Sequence, residues 1–168
     1  MNGQSSFEFQ WLSPLGISVI LFLLYGGLYI LIGILTPFFH DTETGRQILF
    51  TSSRLDTIVF GQKPSELLSD DPKLARLRTI LLLVIGGLLV TAGCFQLAIT
   101  WFGLRQGQTW ALAALTIGGL VVLPFWFAAL RPYFQPDVSL MLFDTPPFIW
   151  IPVALLLPAV VLGLIGLG

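Results

Sequence analysis

Residues 77–102 read Leu-Arg-Thr-Ile-Leu-Leu-Leu-Val-Ile-Gly-Gly-Leu-Leu-Val-Thr-Ala-Gly-Cys-Phe-Gln-Leu-Ala-Ile-Thr-Trp-Phe, and no charged side chain stands between Arg78 and Arg105. Crossing roughly 30 Å of hydrocarbon takes about 20 helical residues, and this stretch supplies them. In lipid every backbone polar group must be paired inside its own segment or within a closed barrel. The run is too long and too evenly apolar for a barrel strand of about ten residues. It reads as a transmembrane helix.

Three more runs satisfy the same criterion: residues 14–36, 109–130 and 148–167. The chain is therefore expected to be all-α, a single domain over residues 1–168 made of four transmembrane helices in one integral membrane bundle. Composition agrees, with 55% hydrophobic and only 10% charged residues, against about 25% charged in a soluble domain. Of the 17 charges, 12 lie between Asp41 and Arg78. The first run lacks a basic n-region and a small-residue cleavage pattern, so it is expected to be a retained span. Net charge near −1 and the lack of a Lys/Arg tract argue against a nucleic-acid partner.

Local signals set the expected ends. Pro14 suits a first helical turn and Pro37 is expected to stop the first helix. Asp71-Pro72 forms a cap-and-start signal ahead of the second span. Gly103 and Gly107 bracket a connection short enough to make the second and third helices antiparallel neighbours. Pro124 and Pro158 are expected to kink their helices.

The long loop, residues 37–76, holds Arg46, Arg54, Lys63, Lys73 and Arg76, with Arg78 at its edge. Arg131 joins them across the membrane plane, and only Arg105 lies on the other side. The positive-inside rule then predicts a multi-pass membrane protein with the loop cytoplasmic and both termini outside. Lys73, Arg76 and Arg78 sit at the unfavourable end of the helix dipole, which points to lipid phosphates as their partners. Within the loop, Thr44-Gly45-Arg46-Gln47 resembles a capping box, and Ile48, Leu55 and Val59 recur at helical spacing. An amphipathic interfacial helix over about residues 46–60 is expected, with Asp56 on its polar side.

Glycines mark the packing faces. Gly26-Gly27 with Gly33 in the first span matches Gly86-Gly87 with Gly93 in the second, and Gly118-Gly119 stands in the third. Small residues about two turns apart let helix backbones approach closely. Trp101, Arg105 and Trp110 read as interface anchors at one surface and Arg131 at the other, the tryptophans at headgroup depth with the cations reaching phosphates.

Chemistry has little to work with. No Asp, Glu, Lys, Arg or His lies mid-membrane, which argues against a proton-coupled transporter or pump. His40-Asp41-x-Glu43 supplies too few ligands for a metal centre, and no Ser-His-Asp order or nucleotide loop exists. No catalytic residue, metal or cofactor is therefore assigned. Three residues stand as candidate ligand contacts: His40 at the mouth of the bundle, Gln96 as the one mid-membrane amide, and Trp126 beside the Pro124 kink.

The stretch Asp56-Thr57-x-x-Phe60-Gly61-x-x-Pro64-x-Glu66-Leu67-Leu68-x-x-Asp71-Pro72, with Trp101-Phe102-Gly103-Leu104-Arg105-x-Gly107-x-x-Trp110-Ala111, resembles small bacterial four-span membrane proteins of uncharacterised function. The likeness covers about residues 56–115; it implies a place in the bacterial inner membrane and no activity. In size and span number the chain also looks like the sterol isomerase-type four-helix family, whose intramembrane acidic residues have no counterpart here. Two functions follow as expectations. One is a non-catalytic accessory or assembly subunit whose partners are membrane lipids and other membrane protein subunits. The other is a binder or enzyme for a hydrophobic small molecule such as a lipid, quinone, sterol-like compound or pigment.

Overall fold

A computed structural model describes residues 9–39, 42–134 and 147–168, the side chains of 147–149 excepted. Four long helices dominate: α1 (Pro14–Phe39), α5 (Pro72–Phe102), the pair α6 (Thr109–Val121) and α7 (Leu123–Leu130), and α8 (Pro147–Leu167). Three short helices lie between the first two: α2 (Glu43–Arg46), α3 (Ser53–Phe60) and α4 (Pro64–Asp70). The chain is an all-α, four-span transmembrane bundle, and no strand occurs among the described residues.

The helix starts follow elementary capping. Ser13 Oγ accepts from the Gly16 amide at 3.1 Å ahead of Pro14, and Asp71 Oδ1 accepts from Lys73 and Leu74 ahead of Pro72. Each cap satisfies amides that have no partner within the helix. Pro37, expected to end α1, instead lies inside it, and the helix runs on to Phe39. One missing N–H so close to the end removes a single hydrogen bond, and helical geometry survives it. Pro124 has the expected effect, because the third span divides between Val121 and Leu123, just ahead of it. Pro152 and Pro158 are carried within one continuous α8.

Helix α1 makes the most extensive contacts, with α5 on one side and α8 on the other. Its seam with α5 is backbone on backbone. A Cβ added at Gly33 would stand 2.6 Å from the Gly86 carbonyl oxygen, and one at Gly93 would stand 2.6 Å from that of Gly26. The pairs 26–93 and 33–86 fix an antiparallel register. On the other flank Ser18 Oγ donates to the Ala159 carbonyl at 2.6 Å, Leu112 meets Gly163, and Gly119 receives the Leu156 side chain. Leu15, Val19, Phe22 and Tyr25 pack there with Leu104, Ala111, Leu112, Leu115, Leu156 and Ala159. The 103–108 connection and both ends of the described chain gather at this end. Leu104, wholly buried, plugs it.

Around this core the outer surface is apolar, with residues such as Leu24, Leu31, Leu83, Leu88, Phe95, Phe125 and Leu157 exposed. That surface is suited to lipid tails. Helix α5 is the most open span: of its 31 residues only Gly86, Gly93 and Thr100 are buried. At about 1.5 Å per residue it is roughly 46 Å long, longer than the hydrocarbon it crosses. Its first turns support the loop through α4.

The loop departs from the expected single helix. Thr42, not Thr44, caps the first turn by accepting from Gly45 at 3.0 Å. Ser52 caps α3, which ends at Gly61 in the left-handed conformation (φ 71°). Residues 47–52 stay out of helix because the amides of Leu49, Phe50 and Thr51 are taken by the Asp56 carboxylate. A charged acceptor offers those donors more than a helical carbonyl does.

Candidate functional site

Two constellations outside the core carry unusual chemistry, one at each end of the bundle. The first is built on Asp56. Far from lying on an exposed polar side, its carboxylate is wholly buried. Oδ2 accepts from the amides of Leu49 (2.7 Å) and Phe50 (3.0 Å). Oδ1 accepts from Thr51 N (3.2 Å), Thr51 Oγ1 (2.9 Å) and the Tyr133 hydroxyl (2.8 Å). Five donors around one carboxylate satisfy it, as buried charge requires.

The same knot positions aromatic rings. Phe50 lies between Trp126 (centroids 6.0 Å apart) and Tyr133 (6.1 Å, stacked). The loop is thereby latched onto the end of the third span, whose α7 segment buries no residue of its own. Arg78 adds a second tie, its Nη2 donating to the carbonyls of Gly45 and Ile48, each at 2.7 Å. The lipid phosphate expected for Arg78 gives way to backbone carbonyls of its own chain. Beside it a cleft of about 260 Å³ is lined by Arg46, Ser65, Ser69, Arg78 and Thr79 among others.

The second constellation is at the opposite end. Arg105 Cζ stands 4.3 Å from the Trp101 ring centroid, 5.5 Å from Phe9 and 5.7 Å from Trp11. Phe9 meets Trp11 edge-on at 4.9 Å. A guanidinium is weakly hydrated and planar, and its face is attracted to the negative face of each ring. Trp110, the other expected anchor here, is exposed and donates through Nε1 to Gln108 Oε1. Arg131, at the far end, is exposed in the turn that follows α7.

The remaining candidates disperse. Gly26, Gly33, Gly86 and Gly93 form the α1–α5 seam and Gly119 faces α8, whereas Gly27, Gly87 and Gly118 have nothing within 4 Å of where a Cβ would stand. Gln96 has its Nε2 buried with no hydrogen-bond partner. Trp126 is taken up by the loop latch, and neither Gln96 nor Trp126 lines the Arg46–Arg78 cleft or the one beside Arg105. His40 lies outside the described residues. Among the described residues no three His, Cys, Asp or Glu side chains group to hold a metal ion.

Asp56, Phe50 and Tyr133 were not singled out as site residues from the sequence. Their one signal was an acid placed three residues after a Ser-Ser pair, which reads equally as a helix face. No protein-family model, no curated protein and no solved structure matches the chain.

Proposed function

We propose that this protein is a non-catalytic accessory or assembly subunit of a larger membrane complex, held to its partner through the outer face of α5. The observation that carries the reading is the openness of that helix. A 31-residue span burying three residues leaves the side turned away from α1 to lipid or to another chain. On one side Gly87, Thr91, Cys94 and Ala98, all exposed, follow one another at helical spacing. The Thr91 hydroxyl is turned back onto the Gly87 carbonyl at 2.9 Å, which keeps the strip smooth. Small residues so spaced suit close approach of a second helix. The likeness to small bacterial four-span proteins belongs to this reading, as does an inner-membrane location with the loop cytoplasmic. Arg46, Arg54, Lys63, Lys73, Arg76 and Arg78 at one end against Arg105 at the other support that orientation.

A second reading, a binder for a hydrophobic small molecule, is favoured by one observation. Among the described residues the buried Gln96 Nε2 has no acceptor, and a ligand carbonyl would supply one.

Cys94, exposed on the α5 strip, is the natural probe. A photoactivatable maleimide placed on it in native membranes is expected to join the chain to a second, different membrane protein in one discrete product. Adducts with lipid alone would overturn the accessory reading. The same cysteine chemistry checks orientation: on a C94S background, Q106C should react with an impermeant thiol reagent from outside the cell and S65C should not.

A further inference from the structure

We infer that the aromatic cage around Arg105 is a binding site for the phosphate group of an anionic phospholipid, in the leaflet at the end of the bundle opposite the loop. Three observations converge. First, the guanidinium packs among aromatic rings. Trp101, Phe9 and Trp11 stand 4.3, 5.5 and 5.7 Å from Cζ, while among the described residues Arg105 makes no hydrogen bond or ion pair. A guanidinium carries five N–H donors in a planar fork that matches a phosphate's two oxygens. Three rings packed about it restrict the side chain in advance, which lowers the ordering cost of binding.

Second, Arg105 opens into a cleft of about 480 Å³, which Phe9, Trp101, Phe102 and Gln106 also line. Gln106, whose Oε1 accepts from Gln108 Nε2 at 3.2 Å, adds a polar side chain to the lining. The aromatic walls suit the glycerol and upper acyl carbons that follow a headgroup phosphate. Third, no acidic side chain lies at this end among the described residues: Glu43, Asp56, Glu66, Asp70 and Asp71 all belong to the loop. The exposed Trp101 and Trp110 put this end at headgroup depth, where aromatic residues collect. A cation at such a depth, with no hydrogen bond or ion pair among the described residues, meets lipid phosphate before any other anion.

The test is lipid retention by the intact protein, read by native mass spectrometry after exchange into detergent doped with phosphatidylglycerol or phosphatidylcholine. One basic side chain at an anionic membrane surface contributes about 1 kcal/mol, so the wild type should retain phosphatidylglycerol about fivefold more than phosphatidylcholine. R105Q should lose that preference. K63Q, which removes the same charge at the far end, should keep it. Brominated phosphatidylglycerol should quench tryptophan emission in the wild type and less so in R105Q. Where R105Q fails to fold, R105K decides: it keeps the charge but not the fork, and wild-type retention by it overturns the proposal. Equal retention of the two lipids by the wild type, or an undiminished preference in folded R105Q, also overturns it. Release of the bound lipid by millimolar inorganic phosphate would assign the site to the free ion and overturn the lipid.

Discussion

Asp56 is the residue on which the loop depends. Its carboxylate collects three successive amides, a threonine hydroxyl and the Tyr133 phenol. A neutral amide in its place keeps one acceptor and turns an N–H₂ toward donors. Asp56→Asn is therefore expected to cost about 2–3 kcal/mol of loop stability, and Tyr133→Phe, which removes one donor of five, about 1 kcal/mol. Hydrogen exchange at the amides of residues 49–51 checks this: about 30- to 150-fold faster for the first variant and about fivefold for the second, with the spans unchanged. Unaltered exchange in Asp56→Asn would show that the knot is not what holds the loop. This cluster was hardly legible in the sequence. An aspartate at helical spacing in a polar loop reads the same whether it faces water or five donors, and Phe50, Trp126 and Tyr133 are far apart along the chain. Arg105 was legible as an interface cation. Its cage was not, because Phe9 and Trp11 precede the first span while Trp101 ends the second.

At the scale of the element, the glycine pattern divides by environment. Gly33 and Gly93 face carbonyl oxygens at 2.6 Å from an added Cβ, whereas Gly27 and Gly87 face nothing within 4 Å. An alanine at 33 or 93 forces two backbones apart, and overpacking of this kind costs about 1–3 kcal/mol. Gly33→Ala and Gly93→Ala should each lower the midpoint of detergent unfolding, while Gly27→Ala and Gly87→Ala leave it unchanged or slightly raised. Equal behaviour of the two sets would mean that α1 and α5 meet elsewhere. The sequence could name the glycines but not sort them. The first three spans each carry two adjacent glycines about 100° apart on the helix, and only the register with the neighbouring helix decides which turns inward. The four spans themselves were legible throughout, since length and uniform apolarity leave no other structure in lipid. Their ends were less so. Pro37 is tolerated in the last turn of α1, and the loop that reads as one amphipathic helix breaks where Asp56 takes its amides.

For the whole molecule, packing is lopsided. The half of the bundle near the 103–108 connection contains the core, Leu104 and the Ser18–Ala159 bond, while α7 and most of α5 stay open. A protein whose only task was to enclose a ligand would be expected to bury more of its own second helix. An accessory subunit has a use for that exposed length. Extraction from the native membrane in mild detergent, followed by the mass of the intact assembly, puts this to the most direct test. Stoichiometric partner chains that travel with the protein are expected. A lone monomer or homodimer with a reproducible small-molecule mass would contradict the subunit reading and direct attention to the buried amide of Gln96.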